Sequence, residues 1–202
     1  MSQMTKGEET KRRILERAAP LLNRHGFLNA PMSDIMAITG MQKGGIYNHF
    51  SSKEDLALQA FDYAVGLVTQ KIRAALEGKS TALERLESIL GVFRAYTDGE
   101  PLPGGCPLLN SAVESDDCHP ALRKRARQTM DRWRETLVRI IGQGVAQGEL
   151  RRGLDPRQVA DVIIAALEGA VAMSNLYKDP EPMQRVVNHL SGYLKSEAAE
   201  HA

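Results

Sequence analysis

The sequence predicts an all-α fold of about nine helices. Two observations carry that expectation. Apolar residues recur at spacings of three and four through nearly all 202 residues, and the interruptions fall at Gly, Pro and capping-box residues. No run reads as a convincing strand.

The first helix starts at a capping box, Thr5 with Glu8, and carries Ile14, Leu15, Ala18, Leu21 and Leu22 on one stripe until Gly26. Pro20 inside it should kink it or weaken a bond to the preceding turn. The second runs from Met32 or Ser33 to Thr39, with Ile35 and Ile38 inward and Gly40 as its stop. A short third helix begins near Gln42; Ile46 and Phe50 share one face, and Gly44 and Asn48 face the other way. Ser51 and Glu54 have the spacing of another capping box, opening a fourth helix through Leu56, Ala60, Ala64, Leu67 and Ile72 to about Leu76.

Thr81 and Glu84 cap a fifth helix running toward Tyr96, and TDGEPLPGGCP is the clearest loop. The sixth spans Pro107 to Glu114, and Pro120 opens a long seventh that ends near Gly148. Asp155 and Pro156 open an eighth that is apolar nearly all round, and Pro182 opens the ninth. A helix apolar on every face has to be covered on every face, within one subunit or between two.

Hydrophobic content of 43% with 25% charge is ordinary for a globular protein, and no apolar run is expected to reach the roughly 20 residues of a membrane span. The polar start, MSQMTKGEETKRR, lacks the apolar centre of a secretory signal, which predicts a cytoplasmic protein without a membrane partner. Cys106 and Cys118 are too few for a disulfide framework and are expected as thiols. Residues 1–53 hold eight Lys and Arg against four Asp and Glu; the remainder holds 18 against 21. That imbalance predicts a boundary at 53, with a basic domain, 1–53, that meets an anion and a more neutral domain, 54–202.

Gly44 and Gly45 each cost about 1 kcal/mol against alanine inside a helix, so something must offset the loss. The second and third helices, joined by the tight TGMQ turn, read as a helix-turn-helix, whose second helix enters the major groove of DNA. Without side chains at Gly44 and Gly45 that helix comes close to the duplex, while Gln42, Lys43 and Asn48 supply donors and acceptors for base edges. Tyr47 and His49 would reach phosphates to either side. Ser51, Ser52 and Lys53 sit at the amino end of the fourth helix, where backbone amides favour an anion.

The stretch SDIMAITGMQKGGIYNHFSSKEDL, preceded by ILERAAPLLNRHGF, resembles the DNA-binding domain of the TetR family of bacterial transcriptional regulators over about residues 8 to 60. Lys43-Gly44, Ile46-Tyr47, His49-Phe50 and Ser52-Lys53-Glu54 are specific only in combination. The resemblance implies an all-α homodimer with an N-terminal three-helix DNA-binding domain, a C-terminal helical ligand-binding and dimerisation domain, and no enzymatic activity or cofactor. It implies phosphate contacts at Tyr47, His49 and Lys53, and base contacts at Gln42, Lys43, Gly45 and Asn48. Two features depart from the family pattern. Ala30 and Pro31 stand where a Thr or Ser usually enters the second helix, leaving Ser33 to replace the lost hydroxyl. Gly45 occupies a variable reading position, which shifts specificity toward DNA shape.

Other motifs have plainer readings. The run RKRARQTMDRWR, 123–134, reads as the wet face of an amphipathic helix whose apolar stripe is Leu122, Ala126, Met130, Trp133 and Leu137. Cys106, Cys118 and His119 match no structural zinc spacing, so no metal is expected. Cys106 before the sixth helix is where a helix dipole would favour a thiolate, giving an electrophile-sensing repressor as an alternative. Phe93, Tyr96, Cys106, Asn110, Trp133, Glu168 and Tyr177 are the candidates for a pocket holding a small-molecule effector, each with core or interface as its plainer role. The expected dimer seam lies on the eighth and ninth helices at Ala165, Ala166, Gly169, Ala170 and Gly192. The expected partners are a palindromic double-stranded operator, an effector and a second copy of the chain. The competing class is a non-enzymatic helical adaptor that merely contains a helix-turn-helix.

Overall fold

The computed structural model describes residues 5–115 and 119–199, all α-helical apart from turns and one 3-10 segment; Cys118 lies outside the described residues. The helices are α1 Lys6–His25, α2 Met32–Thr39, α3 Lys43–Tyr47, α4 Lys53–Leu76, α5 Ala82–Arg94, α6 Pro107–Glu114, α7 Pro120–Ala146, α8 Pro156–Tyr177 and α9 Glu181–Ala199, with a 3-10 turn at Ala95–Asp98. The chain divides into two compact units, Met1–Leu67 with Leu102–Ala126, and Val68–Pro101 with Arg127–Ala202. The unit built around α1 to α3 thus takes in chain beyond residue 53, including the loop before α6 and α6 itself.

The first unit is centred on Ile14, Ala18, Leu22, Phe27, Ile35, Ile46, Phe50 and Phe61, all buried. Phe27 meets the edge of Phe61 at 5.6 Å between ring centroids. The α1 capping box forms, with Glu8 N–H donating to Thr5 and the Glu8 carboxylate reaching back, and α1 runs on through Pro20. Gly40 takes the left-handed conformation (φ 70°) that ends α2, which makes the turn into α3 short. Ile38 is 47% exposed, not inward as expected: α2 buries Ile35 and Thr39, four apart, and one turn-defined face of an eight-residue helix does not reach Ile38.

A buried polar network joins α1, the loop before α6, and α6. Asn23 donates to the carbonyls of Pro103 and Gly105 (2.9 and 3.0 Å), and Asn110 donates to Asn23 and to the Gly104 carbonyl. At the end of α6 the Glu114 carboxylate accepts from three successive backbone amides, Phe27 (2.7 Å), Leu28 (2.9 Å) and Asn29 (3.2 Å). The chain between α1 and α2 would otherwise leave those donors without partners in a partly buried place.

In the second unit α8 and α5 both pack on α9. The Thr81–Glu84 box caps α5, and Asp155 caps α8. Gly144 lets α7 approach α5: a Cβ there would stand 2.6 Å from the Ala82 Cβ. The α8 helix corrects the expectation about membrane spans, because its 22 residues are long and apolar enough to cross one, with half of the apolar window buried in the protein. Its apolarity serves packing: Val159, Ile163, Leu167, Ala170 and Val171 are core. Ala170 is therefore a core residue and not part of a seam. The outer face of α8 exposes Val162, Ala165, Gly169, Met173, Leu176 and Tyr177, and Gly192 is exposed on α9.

Candidate nucleic-acid interface

Five residues make α3, and two hydrophobic anchors hold it: Ile46 is fully buried and Phe50 nearly so. The opposite side faces outward with Gln42, Lys43, Gly44, Tyr47 and Asn48 all exposed. A Cβ on Gly44 would meet nothing within 4 Å, whereas one on Gly45 would meet only the flexible end of Met41, at 3.2 Å. Neither glycine is required by the packing of α3. The space they leave is open to whatever lies against the helix.

The cations of this region sit on neutral groups. Lys53 donates to the Leu28 carbonyl (2.8 Å), and Arg17 donates to the Thr39 carbonyl (3.2 Å). Lys43 stands 5.9 Å from the centroid of Tyr47, one turn on, and Lys11 stands 5.3 Å from that of Phe50. No Lys or Arg among residues 5–53 makes an ion pair with a described carboxylate. Carbonyls and ring faces hold a cation in place without cancelling its charge. The positive potential survives, ready for an anion.

At the amino end of α4 the expected cap is shifted by one residue. Ser52 accepts from the Asp55 amide (2.9 Å), and the Asp55 carboxylate, not Glu54, takes the Ser51 amide (2.9 Å) and hydroxyl (3.1 Å). The Gln59 bond foremost, with help from Ser51 and the field of Lys11, holds the Asp55 carboxyl below its ordinary pKa against a desolvation effect second only to the Gln59 bond. One carboxylate thus already occupies part of the site expected for a phosphate. The α2 helix starts at Pro31 with no side-chain cap, and the Ser33 hydroxyl donates to Asp34 (3.0 Å) while remaining exposed. His49 is half-buried, and Tyr47 is 37% exposed.

Lys11, Arg17 and Glu114 were not among the sequence candidates. A cation on α1 looks like any other surface lysine or arginine, and the sequence separation of 87 between Phe27 and Glu114 hides their contact.

The pocket candidates separate. Phe93 lies parallel to Trp133 (5.0 Å, 8°) and beside Tyr96 (5.3 Å), all within the second unit. Glu168 is buried on α8, the helix that packs on the turn bearing Tyr96. Tyr177 is 64% exposed and does not join them. Cys106 and Asn110 belong to the first unit, where the Asn110 amide is taken up by the network with Asn23. Cys106 is 4% exposed, which denies it the access a sensing thiol needs.

A family model described as bacterial regulatory proteins, tetR family, matches residues 14–60, and one described as tetracyclin repressor-like, C-terminal domain, matches 82–190. The chain belongs to the TetR family. A TetR transcriptional regulator from Chloroflexus aurantiacus J-10-FL, of known crystal structure, is 44% identical across 96% of this chain and 98% of that one, with a TM-score of 0.92. A TetR-family regulator from Cytophaga hutchinsonii is 33% identical over 98% and 99%, with a TM-score of 0.90. The transcriptional repressor DhaR of Mycobacterium sp. strain GP1 is 26% identical over 87% of each chain. This TetR-family member is a DNA-binding transcriptional regulator, with an N-terminal helix-turn-helix and a C-terminal helical domain. The family is one of regulators and is generally non-enzymatic.

Proposed function

We propose that this TetR-family regulator is a repressor that binds a palindromic operator as a homodimer in the cytoplasm and leaves it when a small molecule binds the helical domain. The open face of α3 carries the reading. In this assignment Gln42, Lys43 and Asn48 meet base edges, with the backbone at Gly44 and Gly45 lying close to the duplex, and Tyr47, His49, Ser52, Lys53 and Ser33 meet phosphates. Lys53 keeps its bond to Leu28 while doing so, because an ammonium has three donors. The functional division is residues 1–53 for DNA and 54–202 for regulation.

The dimer reading is supported by the exposed face of α8 with Gly169 and Gly192 open beside it: Leu176 alone is 76% exposed, and side chains that apolar favour a covering partner. The effector reading is supported by the stack of Phe93, Tyr96 and Trp133, which offers an apolar, aromatic wall. Two recognition helices must lie about 34–36 Å apart to enter successive major grooves. An effector that prefers another spacing by about 1–3 kcal/mol lowers operator affinity roughly 5- to 150-fold, and the operator weakens effector binding by the same factor.

Selection of bound fragments from random duplex DNA tests the reading. Two inverted half-sites one helical turn or a multiple apart are expected; a single half-site without symmetry excludes the dimer on DNA. Lys43→Ala and Asn48→Ala should change the preferred base at their positions by about 1–3 kcal/mol of discrimination. Lost affinity with unchanged preference would remove both residues from the bases.

A further inference from the structure

An open cleft of about 220 Å³ lies between α1 and the turn joining α2 to α3, lined by Arg13, Ile14, Arg17, Thr39, Gly40 and Met41. Arg13 and Arg17 are one helical turn apart on α1 and both are exposed. The Arg17 guanidinium is steadied by the Thr39 carbonyl, which leaves its other donors for a second partner. Among the described residues the Arg13 side chain makes no hydrogen bond or ion pair. The turn opposite offers no acid. The Thr39 hydroxyl is spent on the Ile35 carbonyl (2.6 Å), and Gly40 presents bare backbone with open space around it.

Two arginines lining a cleft that no carboxylate lines suit a phosphate, which arginine matches with paired N–H donors. The size points the same way. Pockets for drug-sized ligands measure roughly 300–1,000 Å³, and this open cleft is smaller, with room for a small anion and water. Its rim ends at Met41, and the next residues, Gln42 and Lys43, are the exposed start of α3.

We infer that Arg13 and Arg17 clasp a backbone phosphate of the operator next to the groove read by α3, a contact made by α1 and outside the helix-turn-helix itself. The inference rests on the proposal that α3 faces DNA. Such a clamp carries no base information; it sets the tilt of α3 in the groove and adds to affinity for every sequence. Arg13 supplies charge and donors, and Arg17 also ties the clamp to the end of α2.

The test is a salt titration of duplex binding by the full-length protein and its Arg13→Ala, Arg13→Lys, Tyr47→Phe and Lys43→Ala variants, on operator-selected and random DNA. Arg13→Ala is expected to lower affinity several-fold on both duplexes and to reduce the magnitude of the slope of log K against log salt by about 0.9, the loss of one phosphate contact. Arg13→Lys should recover the slope and only part of the affinity, because lysine keeps the charge and loses the paired donors. An Arg13→Ala slope equal to wild type overturns the clamp. If Tyr47→Phe changes nothing while Arg13→Ala does, the clamp stands and Tyr47 alone is removed from the phosphate contacts; the reverse outcome sinks the clamp alone, and if neither variant nor Lys43→Ala alters binding to either duplex, the reading of α3 fails. Inorganic pyrophosphate supplies a second arm. If it shifts the Gly40 and Met41 amide resonances in wild type but not in Arg13→Ala, and the duplex slope is unaffected, the cleft is a site for a free anion and the operator contact is wrong.

Discussion

The first 53 residues and the second unit treat their cations differently; elsewhere in the first unit Arg125 pairs with Asp62. In the second unit Lys71 pairs with Glu100, Arg134 with Asp161, Arg151 with Glu197, Arg185 with Glu181 and Lys195 with Glu87. In the first 53 residues eight Lys and Arg stand against four acids, and those that have a partner at all rest on a carbonyl or an aromatic face. Neutralised charge serves solubility and adds little stability at a surface. Positioned but uncancelled charge is what a polyanion recognises. Two acids of the first unit, Glu114 and Asp55, accept from backbone amides and so order the scaffold, although Asp55 also feels the field of Lys11.

The strongest way to break this comparison is to remove an acid that serves the backbone. Glu114→Ala leaves three amides without their acceptor and should destabilise the first unit by up to about 3 kcal/mol, read as a lower denaturant midpoint. Glu114→Gln keeps an acceptor oxygen and should fall between. If Glu114→Ala melts like wild type, the carboxylate is not holding that loop.

Next in size is the loss of a cation held by a carbonyl. Lys53→Gln should weaken binding to all duplexes about tenfold at moderate salt and reduce the magnitude of the salt slope by about 0.9. A full slope would show that Lys53 serves only the Leu28 carbonyl. Its counterpart in the second unit, Arg151→Gln, should leave DNA affinity and slope unchanged. It should cost at most about 1 kcal/mol of stability, because the Arg151–Glu197 pair is partly solvent-screened. A changed slope there would erase the distinction between the first 53 residues and the second unit.

The smallest effect concerns pH. Hydrogen bonds from the Thr81 amide first, and from Ser80, lower the exposed Glu84 carboxyl from 4.5 to about 2. A depressed carboxyl contributes fully above its ordinary value and loses that contribution as pH falls through the folded one. The α5 cap should therefore be intact at pH 5 and lost progressively toward pH 2, followed by the Glu84 carboxyl carbon shift. Asp55 should also titrate below its ordinary range, and replacing Gln59 with Leu should raise its midpoint, since the Gln59 bond is the largest cause of the lowering. An unmoved midpoint would assign that role to Ser51 or Lys11.

Much of this was legible in one dimension. Residues within a helical turn of one another meet whatever the rest of the chain does, so the boxes Thr5–Glu8 and Thr81–Glu84, the start of α6 at Pro107 and the cap Asp155 could be read directly. So could the bare face of α3, because Ile46 and Phe50 set the buried side and periodicity then sets the other. Local rules also misled where two candidates competed. Ser51 and Ser52 are both good caps, and Asp55 is reached from the second with Gln59 supporting it, so the box formed one residue later than the spacing alone suggested.

Local chemistry, namely which residues cap, which turn and which face stays bare, was determined by the sequence alone, because those forces act over a few residues. Tertiary structure decided the rest. It brought the Asn110 amide to Asn23 and Glu114 to the chain before α2, buried Cys106, and set Arg13 and Arg17 across from the turn that precedes α3. Each of these joins groups far apart in sequence or on separate elements, and which cations find an acid is settled only when helices pack, since Coulomb attraction and hydrogen bonds act through a few ångströms of space without regard to distance along the chain.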